Sequence, residues 1–273
     1  MTAIRVSTLE LTGMLTDLLH TAATDPDEMS LCSLLMHTER GHWGDEPGRV
    51  DLLVGSSTNR YTAGHTYIRA AGQWPGHEPM LWSTDDVTVL LAALRKLCPD
   101  KKNTEHSVEL CRDERGMTVQ EDADLFGEGT SLTFPVRSAE QYPIAMLFRA
   151  LSFDGSEPTI DASREGGSRV VPVLPRTDAQ PAVLTPFVKV ATRRGYAVRM
   201  YRYHQSRPTV VQIGDTYRGV IMPFKYDDQA TDGHHPEAQL YPPPLPVDGP
   251  TVLRDGSGLL TINLDKPDGG DDR

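Results

Sequence analysis

Nucleophilic, acid–base and phosphate-binding chemistry each need particular residue types in particular settings, and this 273-residue chain offers few candidates. Gly127-Glu128-Gly129-Thr130-Ser131 has the flavour of a phosphate loop but lacks the lysine that would meet the phosphates. It falls between two expected strands, where a hairpin turn accounts for it. Gly256-Ser257-Gly258 has no strand-to-helix elbow around it, so its serine reads as linker and not as nucleophile. His234-His235 is the adjacent pair among nine histidines and has no matched second pair to close a metal site. Asp85-Asp86 and Asp227-Asp228 resemble paired carboxylates, but the first suits a helix N-terminus and the second opens an acidic tail. His65, between Gly64 and Thr66, is expected to face solvent or a partner; a hydrolase reading would have to rest on it or on His204. No nucleophile, base and orienting group come together, so the sequence points to a protein that is not an enzyme and takes no metal and no cofactor.

The basic residues are more informative. Arg95, Lys96, Lys101 and Lys102 gather at the end of one expected helix, Arg149 lies in another, and Lys189, Arg193 and Arg194 line a third. Lys189 and Arg193 are i, i+4 neighbours and share a face, and Arg199 and Arg202 follow on the adjoining strand. The helix dipole, which favours cations at a C-terminus, accounts for each cluster singly. Together they make a surface able to meet phosphates without reading bases. The net charge of −11 argues against such a partner until its distribution is read. From Tyr226 to Arg273 ten acidic residues face Arg254, Lys266 and Arg273, a net of −7, so residues 1–225 carry only −4.

These side chains need elements to hold them. Ser7 with Glu10 is a capping box, followed by Leu11, Met14, Leu15, Leu18 and Leu19, the stripe of an amphipathic helix over about 8–22. Ile4–Val6 before it and Ser30–Thr38, Val50–Ser56 and Arg60–Ala70 after it read as strands. The order β, α, β, β, β then repeats: Met80–Trp82, a helix capped at Ser83–Asp86 and closed by Pro99, then His106–Cys111, Met117–Glu121 and Thr130–Val136. Gln141–Leu151 is expected to be helical and Ser152–Ser168 irregular. A third unit follows: strand Val170–Leu174, a helix from Thr185-Pro186 to Gly195, and strands Tyr196–Tyr203, Thr209–Ile213 and Arg218–Phe224.

The fold class is therefore α+β, built from repeated βαβββ units: three clear ones and one degenerate one, with four helices. Two domains are expected, 1–137 and 138–226, the first half of the second being reduced. The proline- and acid-rich stretch 227–273 reads as an extended or disordered tail in which Leu259–Leu264 is the one apolar run. Cys32, Cys98 and Cys111 are an odd number at wide spacing, which fits neither a disulfide framework nor a zinc site and suits a reducing cytosol. No apolar run of transmembrane length and no secretory signal is seen, so a cytoplasmic location away from membranes is expected.

The repeated βαβββ unit, with helices lining one face and sheets on the other, resembles the DNA sliding clamps. Ser57-Thr58-Asn59-Arg60-Tyr61-Thr62-Ala63 resembles the T-D-x-[HY]-R-L-A stretch of bacterial clamps, with Asn59 for Asp and Thr62 for Arg. Gly219-Val220-Ile221-Met222-Pro223-Phe224-Lys225 resembles their V-M-P-[MV]-R-L terminus. The resemblance implies a processivity factor that encircles duplex DNA, contacts its backbone non-specifically, tethers a replicative polymerase and other proteins bearing clamp-binding peptides, and is opened by a clamp loader. Six domains close the ring in that family, so two per chain imply a homotrimer. The small size and composition suggest a bacteriophage version. By position the peptide pocket would take Thr58, Arg60 and Tyr61 from the first domain and Val220, Met222, Pro223 and Phe224 from the second; Val220, Met222 and Phe224 are equally readable as one inward-facing strand. The alternative is a clamp-like interaction protein that captures such peptides without encircling DNA.

Overall fold

The computed structural model describes residues 2–74, 79–100, 103–113, 116–121, 129–151, 179–202, 208–222, 251–254 and 260–263. Residues Met1–Lys225 form one compact unit and Tyr226–Arg273 another. The expected loop Ser152–Ser168, strand Val170–Leu174, Gly256-Ser257-Gly258 and His234-His235 lie outside the described residues.

The first repeat is β1 (Thr2–Ser7), α1 (Thr8–Leu19), β2 (Ser33–Gly41), β3 (Val50–Thr58) and β4 (Thr62–Ala71). The second is β5 (Met80–Ser83), α2 (Thr84–Leu97), β6 (Ser107–Asp113), β7 (Gly116–Glu121) and β8 (Ser131–Phe134). Both helices start as their sequences dictate. Ser7 Oγ accepts the Glu10 amide at 3.5 Å, and Ser83 Oγ accepts the Asp86 amide at 3.1 Å while donating to its carboxylate at 2.5 Å. Each helix buries one stripe: Leu11, Met14, Leu15 and Leu18 on α1, and Val87, Leu90, Leu91 and Leu94 on α2. Both stripes close on one core with Ile4, Val6, Leu34, Met36, Leu53, Trp82 and Val108. Each such leucine contributes roughly 2 kcal/mol by leaving water.

The two repeats exchange their first strands. β1 does not extend its own β2 but lies antiparallel to β6, Thr2 opposite Arg112 through Ser7 opposite Ser107. β5 lies against β2, Ser33 opposite Ser83 through Met36 opposite Met80. Neither repeat therefore completes a four-stranded sheet without the other. The β1 edge touches β4 at Arg5–Ala71 and Val6–Ala70, so strands β8-β7-β6-β1-β4-β3-β2-β5 run on as one sheet.

A two-residue strand, β9 (Arg137–Ser138), pairs with β5 and leads to α3 (Ile144–Leu151). The third repeat then supplies α4 (Pro181–Arg194), β10 (Arg199–Tyr201), β11 (Thr209–Ile213) and β12 (Tyr217–Ile221). α4 begins five residues earlier than expected, because Pro181 behind Gln180, and not Pro186 behind Thr185, takes the first helical position. Pro186 consequently lies inside the helix. Its end is as expected: Gly195 adopts the left-handed φ of 71° and its amide returns to Ala191 O at 2.8 Å.

One expectation is corrected here. α1, α2 and α4 share one face of the sheet, but α3 lies on the other. Ile144, Leu147, Phe148 and Leu151 pack on Leu35, Ala63, Val210 and Val220, whose side chains point away from α1 and α4. α3 is therefore not the helix of a fourth βαβββ unit but a short cover on the opposite surface. The 227–273 stretch also differs from an extended tail: β13 (Thr251–Arg254) and β14 (Leu260–Asn263) pair antiparallel, Thr251 opposite Asn263 through Arg254 opposite Leu260.

Candidate functional site

The two clamp-like motifs, more than 150 residues apart in the chain, are neighbours in space. β12 adds antiparallel to the outer edge of β4, Tyr217 opposite Thr66 through Ile221 opposite Thr62, with Val220 opposite Ala63. The ladder continues past the strand ends, where the Met222 amide donates to Tyr61 O at 2.9 Å.

The hairpin turn that presents Tyr61 is built from short polar side chains. Asn59 Oδ1 accepts from the Tyr61 amide (3.1 Å), the Thr62 amide (2.8 Å) and Thr62 Oγ1 (3.0 Å). Thr58 Oγ1 donates to Thr62 O at 2.8 Å and accepts from the Arg60 amide at 3.2 Å. Asn59 thus fills by its carbonyl oxygen the acceptor role open to Asp. Arg60 is held at φ 71°, a left-handed conformation unusual for a residue with a side chain, and its guanidinium reaches Glu28 at 3.1 Å.

The predicted pocket residues divide by exposure. Tyr61 is 68% and Met222 43% exposed, Arg60 is open, and Thr58 is buried. Val220 is 2% exposed beneath α3, which makes it an interior contact and not a docking surface. Pro223 and Phe224 lie outside the described residues. Behind Tyr61, Leu19, His20, Asp25, Thr185 and Lys189 line a groove of about 560 Å³.

Under α3 lies His65, which was expected to face solvent or a partner. His65 Nδ1 and Ser56 Oγ, cross-strand partners on β4 and β3, are hydrogen-bonded at 2.8 Å. The Phe148 ring stands edge-on to His65 at 5.7 Å and to His37 at 6.2 Å. Burial, then the neighbouring His37 and Arg218, push the His65 pKa down to about 4. Burial likewise lowers that of His37, against the opposing pull of Glu39. Ser56 is fully buried, so no substrate can reach its hydroxyl and the pair acts as a packing contact.

The basic residues scatter more than expected. Arg95 and Lys96 are exposed at the end of α2, and Lys189 is exposed on α4, all on the helix face. Arg149 is exposed on α3 and so belongs to the opposite face. Lys101 and Lys102 lie outside the described residues. Arg193 and Arg194 converge instead on Asp17 of α1, whose side chain is 0% exposed. Arg193 Nε donates to Asp17 Oδ1 at 2.5 Å and its terminal nitrogen to Oδ2; Arg194 Nε donates to Oδ2 at 2.7 Å. Arg194 also donates to Thr216 (2.8 Å) and Thr66 (2.9 Å) and lies 5.2 Å over the Tyr217 ring. A carboxylate removed from water needs such partners. This cluster bolts α4 to α1, and the sequence hinted at it only by an aspartate set among the apolar residues of α1.

Close approach at the same junction requires glycine. Gly64 and Gly219 face each other across β4 and β12. A Cβ on Gly64 would meet Thr21 Oγ1 and the Tyr217 hydroxyl at 2.5 Å, and one on Gly219 would meet Phe187 at 2.3 Å.

No family model matches the sequence, and no curated protein matches it. Solved structures do. The chain is similar to a beta sliding clamp from C. crescentus (TM-score 0.55, 17% identity, 82% of this chain and 65% of that one). It is also similar to the DNA polymerase III subunit beta from Pseudomonas aeruginosa (0.54, 10%, 82% and 67%). A further match is a DNA polymerase sliding clamp from Caulobacter crescentus (0.53, 15%, 82% and 65%). The chain spans about 65% of the length of the first of these. Exchanged βαβββ repeats, with α1, α2 and α4 on one face and a sheet that runs unbroken from one repeat to the next, are the fold of the sliding clamps.

Proposed function

We propose that this chain is a sliding clamp: copies of it close a ring on duplex DNA, and the ring tethers a replicative polymerase through a short apolar peptide while catalysing nothing. The observation that carries this reading is the β4–β12 junction. It sets Tyr61 beside Met222, an aromatic and a flexible thioether left open on a rigid ladder, which suits capture of varied apolar peptides. DNA would meet the α1, α2 and α4 face through Arg95, Lys96 and Lys189. Three exposed cations give weak, salt-sensitive contact, as sliding needs. Other peptide-bearing replication proteins and a clamp loader are the further partners of this reading, and a bacteriophage origin and cytoplasmic setting go with it. The two-domain count gives three copies per ring.

A second reading, a clamp-like protein that captures such peptides without encircling DNA, is favoured by one observation: Arg149, Arg193 and Arg194 do not add to the free positive charge of the helix face. Retention on circular against linearised DNA separates the two. A clamp is retained on the circle and lost when it is cut, and Lys96→Glu with Lys189→Glu weakens retention. Capture of polymerase peptides with no difference between circle and line would leave the second reading.

A further inference from the structure

α3 is an eight-residue helix, too short to hold itself together in water, so its order depends on what lies beneath it. Ile144, Leu147, Phe148 and Leu151 rest on Leu35, Ala63, Val210 and Val220. Val220 stands two residues before Met222 on one ladder, so strand alternation gives them a common face. The floor under α3 therefore runs on toward the exposed Met222 and Tyr61.

Apolar packing is only part of that contact. The Phe148 ring stands edge-on to two imidazoles, His65 on β4 at 5.7 Å and His37 on β2 at 6.2 Å. His65 is tied to the buried Ser56 hydroxyl of β3 at 2.8 Å. It also lines a cavity of about 400 Å³ with Tyr67 of β4, Tyr201 of β10, Asp215 of the β11–β12 turn and Arg218 of β12. On β2, Glu39 Oε2 lies 3.4 Å from His37 Nε2. α3 brings Phe148 to the pair and leaves its own cation, Arg149, exposed. Two rings able to take up protons in weak acid are thus held under one phenyl ring, where a charge on His65 would be opposed by His37 and Arg218. Burial outweighs the attraction of Glu39 for a charged His37, and His65 stays neutral down to about pH 4.

We propose that α3 is an acid-released cover: protonation of His37 and His65 lifts it from the sheet and opens the apolar floor bordered by Tyr61 and Met222. With α3 closed, a proton on either ring is held out of water; with α3 lifted, the rings are solvated and protonate near 6.5. The lifted form binds more protons, so the cover is firm above pH 6.5 and loosens as pH falls toward 4. Opening is local, because the core closed by α1 and α2 lies on the other side of the sheet and contains neither ring. The device rests on packing and charge alone and does not depend on what the chain binds.

Hydrogen exchange of the full chain at a series of pH values tests it, each amide referred to its rate in an unstructured peptide of the same sequence. Protection of the Ile144–Leu151 amides should fall at least about tenfold between pH 6.5 and 4, while that of Thr8–Leu19 in α1 holds. Protection of α3 that does not change with pH, or that is lost together with that of α1, overturns the proposal. His37→Gln with His65→Gln should keep α3 protected across the range, and loss as in the wild type overturns it. Where that variant fails to fold, the proton NMR signals of the two imidazoles in the wild-type chain decide. Their titration should coincide with the opening of α3, and imidazoles that charge while α3 remains protected overturn the proposal.

Discussion

The two faces of the β4–β12 junction are held by different physics. On the helix face, a fully buried carboxylate meets two guanidinium groups, and two facing glycines let Phe187 and Tyr217 press against the strands. On the other face, α3 lays leucine and phenylalanine over valine, alanine and two neutral imidazoles. The first arrangement is directional and intolerant of change. The second is apolar and sensitive to whatever brings charge beneath it. Removing a charge should therefore damage one face and adding a charge the other.

The largest effect expected is from Asp17→Ala, which strands two guanidinium groups at the junction and should cost about 4 kcal/mol in urea unfolding; a loss below about 1 kcal/mol would mean that the cluster is ornamental. Acid should act on the opposite face. The folded chain keeps His65 neutral down to about pH 4, whereas the unfolded chain protonates it near 6.5. The contribution is thus complete above 6.5 and is lost as pH falls toward 4, by about 3 kcal/mol at most. Urea midpoints measured across that window should slope for the wild type and flatten for His65→Gln. The smallest effect sharpens the contrast at adjacent residues of one strand. Gly219→Ala, driven into Phe187, should cost about 2 kcal/mol, and Val220→Ala, which leaves a small void under α3, about 1 kcal/mol. Equal costs would remove the distinction in packing tightness.

Much of the fold was legible because it is local. The Ser7 and Ser83 caps, the leucine stripes of α1 and α2, the Gly195 terminator and the Thr209–Ile213 strand follow from side chains within a few residues of one another. The start of α4 was not, because two prolines competed for one role and only the packing of Val183 and Leu184 on the Phe187, Val190 and Ala191 cluster shows how far the helix extends. Of the candidate site, the meeting of Tyr61 and Met222 was anticipated through the clamp resemblance. The burial of Val220 was not, since an apolar residue on a strand carries no mark of which face will be covered.

The sequence by itself determined the βαβββ rhythm and the fold class, because periodicity and capping are written in neighbouring residues. Tertiary structure alone decided that Arg193 and Arg194 meet at Asp17 and that α3 covers the surface opposite the other helices. Each of these depends on which distant segment packs at a shared surface, and a charge or an apolar stripe is the same in sequence whichever neighbour it meets.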